Sequence, residues 1–414
     1  MNNKTLGNIF KGDKVVWMIF FFLCIISVVE VFSASSSLTY KGESYWSPMF
    51  KHIFILLWGI FLMVLTIQIK CRYFKIVTPF MLILSILTLL WVLVAGQSTN
   101  GAQRWVGFMG LQFQPSELAK GTMVLATAQI LSALQTDNGA DRQAFKYIMM
   151  ICLPIVPLIM MENLSTAVLL CAVIFMMMVV GRVPMWQLGR LLGGVAIVLV
   201  LAFSLVMLVG KDQTPPAPGQ HLTEVSAAVP KESPGFLEKV FHRASTWKAR
   251  IDKFSAGKHE SPDSIDLFNK DAQVAHANIA IASSNIIGKG PGNSVERDFL
   301  SQAYSDFIYA IIIEELGIIG AFFVAALYII LLFRVGRIAN RCENNFPAFL
   351  AMGLALLLVT QALFNMCVAV GLVPVTGQPL PLVSKGGTST LINCVYIGVI
   401  LSVSRWAKKK EALA

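Results

Sequence analysis

The sequence predicts an all-α polytopic membrane protein with about ten transmembrane helices and one large extracytoplasmic loop between the seventh and eighth. Three observations predict this class. The chain has 414 residues, of which 56% are hydrophobic and only 14% are charged, whereas soluble proteins are typically about 25% charged. Its mean hydropathy is +0.68. Apolar runs of about 20 residues, the length that crosses a bilayer as a helix, recur along the chain. We therefore expect residues 1–414 to form a single membrane domain.

Ten apolar runs give the predicted helices. A transmembrane barrel would show short alternating segments instead, so helices are predicted throughout. The first run follows Lys4, Lys11 and Lys14. It is of full length and many others follow it, which predicts a retained helix rather than a cleaved signal peptide. The runs cover residues 15–34, 51–69, 74–95, 117–134, 145–161, 164–181, 188–210, 306–333, 347–371 and 387–405.

The distribution of Lys and Arg over the short loops predicts which helix ends face the cytoplasm. One alternate set of segments, which includes both termini, is rich in these residues, whereas the opposite short loops hold little beyond Lys41, Lys51, Arg104 and Lys385. We therefore predict that both termini are cytoplasmic. The asymmetry accounts for most of the net charge of +10. No nucleic-acid-binding motif accompanies it, so no nucleic-acid partner is predicted.

One polar segment, residues 211–305, is much longer than the other loops and lies outside by the same alternation. A loop of this length is uncommon unless it is functional or disordered. Between Leu237 and Phe254 apolar residues recur at three- and four-residue spacing, with basic residues such as Arg250 beside them. This pattern predicts an amphipathic helix. The helix either lies on the outer membrane surface or packs on the transmembrane core, and the sequence leaves both open.

A first group of candidate site residues lies at the outer edge of the fourth helix. Arg104 follows Gly-Ala-Gln, and Glu117 and Lys120 stand in Gln-Pro-Ser-Glu-Leu-Ala-Lys. Glu117 and Lys120 are three residues apart and therefore share a helix face. Charged residues at membrane depth are costly and mark functional sites. These side chains either bind a phosphate, pair with one another or extend to the membrane interface.

A second group surrounds the start of the eighth helix. Asp306 opens this helix at the outer mouth of the protein, and Glu314 and Glu315 lie about two turns deeper. A carboxylate at the mouth of a cleft is suited to act as a general base. The alternative for Asp306 is a helix N-cap, a position that favours Asp. Two carboxylates within the membrane are expensive unless they are paired, so Glu314 and Glu315 are predicted to support the site.

The glycine-rich stretch Gly-Lys-Gly-Pro-Gly-Asn-Ser at residues 288–294 resembles a nucleotide-binding phosphate loop only superficially. It lacks the spacing of that loop, and it lies outside, where no nucleotide is supplied. We predict a tight turn that positions the chain.

A third group lies in residues 377–389, where two prolines and three glycines interrupt an apolar stretch at the outer membrane edge. Irregular backbone at such depth must line a cavity or be buried in protein. Lys385, with Ser384 beside it, is predicted to bind an anionic ligand. Thr388 and Ser389 either cap the last helix or bind the same anion.

The seven cysteines and five histidines show no metal-ligand spacing. No cysteine falls in an outer loop, so no structural disulfide is expected.

These clusters, in this order, resemble the SEDS family of shape, elongation, division and sporulation proteins, represented by FtsW, RodA and SpoVE. The resemblance covers the chain from about residue 15 to Arg405. Its most specific pieces are residues 101–105, 114–120, 287–320 and 379–388. Within the family, the Gly-Asn-Ser at residues 292–294 is closer to the division member than to the elongation member.

The resemblance also assigns roles to residues. The family's catalytic aspartate ends a segment written Leu-Pro-Glu-Ala-His-Thr-Asp, which here reads Leu-Ser-Gln-Ala-Tyr-Ser-Asp and ends at Asp306. The family segment Gln-Pro-Asp-Leu-Gly-Thr-Ala corresponds to Met-Glu-Asn-Leu-Ser-Thr-Ala, where Glu162 can supply the acidic group from one position away. Lys385 replaces the aromatic residue of the family's Ser-Tyr-Gly-Gly.

What the resemblance implies is a ten-helix peptidoglycan glycosyltransferase of the bacterial cytoplasmic (inner) membrane. It polymerises lipid II into glycan strands on the outer face, for septal wall synthesis, with a class B penicillin-binding transpeptidase. Undecaprenyl pyrophosphate is the leaving group, and further partners are other divisome proteins and membrane lipids. A divalent cation, Mg or Mn, is the one cofactor considered.

In the implied reaction Asp306 is the general base for the 4-hydroxyl of the next lipid II, and Arg104, Lys120, Arg250 or Lys385 stabilises the pyrophosphate. One alternative is a flippase that moves lipid II unchanged, for which a base at the outer mouth has no evident use. A second is a non-catalytic divisome scaffold, which leaves two acidic residues in the membrane unexplained. Within the family, an elongation-type polymerase is the alternative to a division role.

Overall fold

The computed structural model describes residues 11–34, 47–95, 97–99, 102–108, 111–209, 273–300 and 303–406. Each of the ten predicted spans coincides with an α-helix whose ends differ from the prediction by a few residues. These helices are α1 (Lys14–Ala34), α2 (Ser47–Gln68), α3 (Cys71–Ala95), α4 (Pro115–Ala133), α5 (Arg142–Glu162), α6 (Leu164–Val180), α7 (Met185–Val209), α9 (Ile308–Ala339), α10 (Asn345–Ala369) and α11 (Thr388–Trp406). A further helix, α8 (Gln273–Ser283), precedes α9.

Seven of the described helices are long and apolar enough to cross a membrane: α1, α2, α3, α5, α9, α10 and α11. Helix α6 is apolar but has only 17 residues, and α4 contains two charged side chains near its start. Together with the seven spans, these apolar helices confirm the predicted class, an all-α multi-pass membrane protein.

The centre of the bundle is formed by α10 and α11. In their most apolar stretches 67% and 72% of the residues are buried inside the protein, against 22% in α3 and in α5. Helix α10 packs against α4, α6 and α9, and α11 packs against α2. Helix α1 packs on α9. Helices α3 and α5 therefore present most of their apolar surface outwards, as lipid-facing helices do.

Short strands, absent from the sequence prediction, join some of the helices. Between α3 and α4 lies a three-stranded antiparallel sheet of β1 (Gln97–Thr99), β2 (Ala102–Phe108) and β3 (Leu111–Phe113), with β2 in the middle. A two-stranded pair, β4 (Gln135–Thr136) and β5 (Gly139–Ala140), joins α4 to α5. Four of the five strands have three residues or fewer, which is too short to show the alternation that predicts a strand.

The chain divides into two compact units. One covers Met1–Met185, Leu267–Leu372 and Thr376–Ala414, and the other covers Trp186–Asp266 and Val373–Val375. Of the predicted loop 211–305, residues 273–300 and 303–305 are described, and in them α8 packs on α9. The predicted amphipathic helix between Leu237 and Phe254 lies outside the described residues. That residues 1–414 form a single domain, and that the loop is extracytoplasmic, stay predictions.

Candidate active site

The non-helical segment 376–387, which leads into α11, is largely buried, and side chains from three helices satisfy its main-chain carbonyl groups. Gln361 Nε2 donates to Pro379 O at 3.0 Å, and Ser27 Oγ donates to Val383 O at 2.7 Å. The Tyr328 hydroxyl donates to Pro381 O. Of the two alternatives for this irregular backbone, burial in protein is thus the one present in the structure. These hydrogen bonds satisfy main-chain carbonyl groups for which lipid offers no donor.

This segment holds the turn that precedes α9 and carries Asp306. Ser384 Oγ donates to Ser305 O at 2.6 Å, and the Lys385 main-chain N–H donates to Tyr304 O at 2.9 Å. Asn365 Nδ2, from α10, donates to Asp306 O at 2.9 Å. Three consecutive main-chain carbonyls are therefore fixed by three different residues, and the position of Asp306 follows from that of the 376–387 segment.

The Asp306 side chain is partly exposed, unlike the buried Phe307 that follows it. Ser305 Oγ donates to Asp306 Oδ1 at 3.0 Å. The N-cap position of α9 is Phe307, whose own side chain makes no capping hydrogen bond. The N-cap position therefore falls one residue after Asp306, the residue that the alternative named. A held but accessible carboxylate is the geometry that a general base requires.

Lys385 lies beside the same turn. Its ammonium is 4.9 Å from the centroid of the Tyr304 ring, a cation–π distance. It is partly exposed, as is Asp306. A positive charge and a carboxylate thus flank Tyr304 and Ser305 at the mouth of the bundle. Its neighbour Ser384 is buried and also accepts a hydrogen bond from the Leu380 main-chain N–H at 2.8 Å, so the structure gives Ser384 a role in shaping the segment.

Glu117 and Lys120 are buried in the bundle rather than exposed at its edge. Their side chains are only 2% and 0% exposed, and Lys120 Nζ lies 2.8 Å from Glu117 Oε1. Lys120 Nζ also donates to Gln361 Oε1 at 2.6 Å. Of the alternatives that the sequence left open, mutual pairing is the one present in the structure. Because Gln361 in turn bonds the 376–387 segment, this ion pair is linked to the site of Asp306.

The segment where α5 ends and α6 begins also reaches the site. Glu162 is the last residue of α5 and is buried, and Asn163 Oδ1 caps α6 by accepting from the Ser165 N–H at 3.0 Å. Gln378 Nε2, from the 376–387 segment, donates to Thr166 Oγ1 at 2.7 Å. Thr166 therefore joins the polar interior around Asp306.

Glu314 and Glu315 bind the glycine turn 288–294. Both are fully buried. Glu314 pairs with Lys289 Nζ at 2.6 Å and accepts from Ser294 Oγ at 2.5 Å. Glu315 accepts from the Gly292 main-chain N–H at 2.9 Å. The two predicted clusters are thus one structure, in which the turn supplies the partners that carboxylates in a membrane need.

The glycine turn 288–294 also donates main-chain hydrogen bonds at a break in α9. Gly317 has φ 70° and ψ −173° inside the helix, which frees carbonyl groups of the preceding turn. The Lys289 N–H donates to Glu314 O at 2.9 Å, and the Gly290 N–H donates to Glu315 O at 2.8 Å. The prediction of a tight turn that positions the chain is confirmed.

The remaining predicted residues are only partly described. Arg104 lies in β2, and its side chain is outside the described residues, as is all of Arg250. Thr388 is the first residue of α11 and is buried. Within the described part of the chain, no three His, Cys, Asp or Glu side chains are grouped so that they could hold a metal ion. A substrate-binding role for any of the predicted residues stays a prediction.

Four neutral residues of the site were not predicted from the sequence, in which charged side chains and the hydroxyls near Lys385 were the candidates. Gln361 and Asn365 are the clearest signal, because two amides four residues apart share one face of an otherwise apolar helix. No comparable signal marks Gln378 or Thr166, whose contact joins residues 212 apart in the chain.

The helices and the site define a class, a multi-pass helical membrane protein in which a partly exposed aspartate is fixed by a buried non-helical segment. More particularly, the chain belongs to the FtsW/RodA/SpoVE family, described as cell cycle proteins, whose model matches residues 13–215 and 233–409. This family was the one that the sequence motifs predicted.

Related proteins carry two kinds of name. The chain is 30% identical to the probable peptidoglycan glycosyltransferase FtsW of Aromatoleum aromaticum, over 92% of this chain and 85% of that protein. It is 27% identical to the protein of the same name from Enterococcus hirae, over 97% of this chain and 95% of that protein. It is 28% identical to the peptidoglycan glycosyltransferase MrdB of Escherichia coli, over 97% and 96%.

Solved structures share the fold. The rod shape determining protein RodA of Thermus thermophilus superposes with a TM-score of 0.62 at 22% identity, over 95% of this chain and 97% of that one. A second match is a chain from a study of polymerization and crosslinking by a peptidoglycan synthase complex. It superposes with a TM-score of 0.68 at 23% identity, over 95% of this chain and 98% of that one.

Proposed function

We propose that this protein is a peptidoglycan glycosyltransferase that polymerises lipid II into glycan strands. The observation that carries the proposal is the setting of Asp306, a partly exposed carboxylate in a turn whose main-chain carbonyls are held by Ser384, Lys385 and Asn365. Relatives along almost the whole chain are named as peptidoglycan glycosyltransferases, and the aspartate coincides with the last residue of the family's catalytic segment.

In the proposed reaction Asp306 acts as the general base. A bond forms between the 4-hydroxyl oxygen of the incoming lipid II and C1 of the growing glycan, and the bond from C1 to the undecaprenyl pyrophosphate breaks. The hydroxyl proton passes to the Asp306 carboxylate, and the pyrophosphate leaves as an anion, with inversion at C1. A well-placed base contributes about 10²- to 10⁴-fold to such a step.

The leaving pyrophosphate needs positive charge rather than a proton. Lys385 is a described cation that lies beside the Asp306 turn, and Arg104 and Arg250 stay candidates from the sequence. Lys120 is already paired with Glu117, so we assign it to holding Gln361 and the 376–387 segment. A divalent cation, Mg or Mn, would neutralise pyrophosphate oxygens, with carboxylate oxygen such as that of Asp306 as the type of ligand it prefers.

The proposed orientation places Asp306 outside and both termini in the cytoplasm of a bacterial cell. The Lys and Arg asymmetry supports this. The Asp13 N–H, just before α1, donates to Ser404 Oγ near the end of α11 at 2.9 Å, so the two ends of the described membrane region lie on one side. Asp13 also pairs with Arg334 near the far end of α9 from Asp306.

The proposed setting is septal wall synthesis with a class B penicillin-binding transpeptidase and other divisome proteins. The division role is supported by relatives named FtsW. The transpeptidase partner is supported by the fold shared with a chain from a structure titled for coordinated polymerization and crosslinking.

The experiment that tests the proposed function uses the full-length protein in proteoliposomes with fluorescent lipid II and a class B transpeptidase. We expect glycan polymers on a gel, with chain length growing over time. Transfer of lipid II across the bilayer without any polymer would contradict the proposal and support a flippase. If an otherwise active mixture shows neither lipid II transfer nor polymer, a non-catalytic scaffold would be the better account.

A further inference from the structure

A cavity of about 390 Å³ opens at the end of α9 that lies far from Asp306. It sits where α1 begins and where α9 and α11 end. No residue of the candidate active site lines it. Its walls are formed by Lys11, Gly12, Asp13, Ile338, Arg341, Ser404 and Arg405.

The floor of this cavity is a fixed structure. The Asp13 N–H bonds Ser404 Oγ at 2.9 Å, and Asp13 Oδ1 accepts from the Val15 N–H at 3.0 Å at the start of α1. Gly12 has φ +105°, and a Cβ there would lie 2.9 Å from Ser404 Oγ and 3.0 Å from Leu401 O. Only glycine fits such a close approach at this backbone angle. The start of the described chain is thus docked onto α11.

The charge of the cavity is positive. The one carboxylate among its described lining residues, Asp13, is already matched by Arg334, whose Nη2 lies 2.7 Å from Asp13 Oδ2. Burial alone raises the pKa of Asp13, but hydrogen bonds from Arg334 and from main-chain amides bring it below its usual value. Among the described residues, neither the Lys11 nor the Arg341 side chain has an ion-pair or hydrogen-bond partner. With Arg405, three cations line the cavity, and no further carboxylate stands among its described lining residues.

The cavity lies at the level where lipid headgroups are expected. Arg405 Nη1 donates to Gln68 Oε1 at 2.7 Å at the end of α2, and its guanidinium is 4.3 Å from the Trp406 ring centroid. The Lys70 ammonium lies 5.5 Å from the same ring. Tryptophans with basic neighbours at helix ends mark the membrane–water interface.

We propose that this cavity binds the phosphate group of an anionic phospholipid, held by Lys11, Arg341 and Arg405. Its volume falls within the range of about 300–1,000 Å³ typical of small-molecule sites. Basic pockets between helix ends on the cytoplasmic side of membrane proteins suit anionic headgroups. The proposal does not depend on the glycosyltransferase activity, since the cavity shares no residue with the Asp306 site.

The test measures lipid retained by the full-length protein after purification from nanodiscs that contain equal amounts of phosphatidylglycerol and phosphatidylcholine. The site variant is Lys11→Gln with Arg341→Gln. The control is Arg337→Gln, because Arg337 is exposed on α9 one turn before Arg341 and does not line the cavity. A parallel arm adds inorganic phosphate to the protein in nanodiscs of phosphatidylcholine alone and follows the thermal midpoint.

We expect native mass spectrometry to show wild type and Arg337→Gln enriched in phosphatidylglycerol. Each basic side chain near an anionic lipid is worth roughly a factor of five, so the double variant should lose enrichment by about 25-fold. An unchanged thermal midpoint in phosphatidylcholine would show that the variant is folded. Equal enrichment in the double variant, or an equal loss in Arg337→Gln, overturns the proposal. If inorganic phosphate raises the thermal midpoint but phosphatidylglycerol is not enriched, the cavity binds free phosphate and the proposal of a lipid ligand is overturned.

Discussion

Asn365 and Asp306 are joined by a hydrogen bond of 2.9 Å from the Asn365 side-chain amide to the Asp306 main-chain oxygen. The same Nδ2 donates to Gln378 O at 2.7 Å. One buried side chain of α10 thereby ties the turn that carries the candidate base to the 376–387 segment. This amide is one of three groups that fix the turn, together with Ser384 Oγ and the Lys385 main-chain N–H.

Asn365→Ala should therefore impair catalysis by misplacing Asp306. The change removes this donor from the buried Gln378 carbonyl, at a cost of about 1–3 kcal/mol in stability, and from the partly buried Asp306 carbonyl. A displacement of about 1 Å at a reacting group can lower turnover by about 100-fold. The measurement is the rate of glycan polymerisation at saturating lipid II, together with the thermal midpoint. The matched control is Met366→Ala, a buried neighbour whose side chain makes none of these bonds. If both variants lose turnover equally, general destabilisation and not positioning explains the loss.

The buried pair of Glu117 and Lys120 should behave as one unit in stability measurements. Lys120→Met or Glu117→Gln alone leaves one uncompensated buried partner, which costs about 3–5 kcal/mol. The double variant should recover most of the free energy of unfolding, since no unpaired charge remains. A double-mutant cycle on purified protein measures the coupling. A stable single variant Lys120→Met with a greatly raised KM for lipid II would instead favour the sequence prediction that Lys120 binds substrate.

Gly288 and Gly317 should not tolerate alanine. Their φ angles are +83° and +70°, and a Cβ at Gly288 would lie 2.3 Å from Glu315 O, while one at Gly317 would lie 2.4 Å from Ile286 O. Both of these close contacts are with main-chain oxygen atoms, which cannot move aside. Gly292→Ala is the control, because φ there is +84° but a Cβ meets nothing within 4 Å.

We expect Gly292→Ala to cost about 1–2 kcal/mol of unfolding free energy, the usual cost of a left-handed residue. Either of the other two substitutions should abolish folded protein in a fluorescence-detected chromatography assay. Equal yields from all three variants would contradict the close contact between the glycine turn and the break in α9.

Replacing the carboxylate by an amide should affect the thermal midpoint differently at Glu30 and at Glu315. Glu30 is fully buried in α1, and among the described residues neither of its carboxylate oxygens has a hydrogen-bond partner. Glu315 accepts from the Gly292 and Ser294 main-chain amides at 2.9 and 3.3 Å and from Ser33 Oγ. Glu30→Gln should leave the thermal midpoint unchanged or raise it, because it removes an ionisable group that the fold does not pair. Glu315→Gln should lower the midpoint, because an amide nitrogen cannot accept these bonds. A larger loss for Glu30→Gln than for Glu315→Gln would show that Glu30 has a partner essential to the fold.

The helices could be predicted from the sequence because each is a continuous apolar run of membrane-spanning length. The break at Gly317 could not, since a glycine in an apolar run looks the same whether or not the helix continues through it. The two outer strands of the sheet between α3 and α4 also gave no signal, because strands of three residues show no period.

The site could be predicted only in part. Asp306, Glu314, Glu315 and the glycine turn were each found, since charges and glycines are conspicuous in an apolar chain. Their connections were not, because the partner of Glu315 is a main-chain amide about 20 residues away, and that of Gln378 is a threonine hydroxyl 212 residues away. Neutral amides such as Asn365 carry little signal alone, and their importance follows from the carbonyls that they reach.

Asp306→Asn is the measurement that tests the central claim most directly. The substitution keeps the shape of the side chain and an oxygen that can accept from Ser305 Oγ, but removes the carboxylate that would take the proton. Polymer formation from lipid II and thermal stability are measured on the same preparation, with Ser305→Ala as the control for the neighbouring hydrogen bond. The account predicts a thermal midpoint equal to wild type and polymerisation lowered by about 10²- to 10⁴-fold. A folded Asp306→Asn protein that polymerises lipid II at the wild-type rate would contradict it.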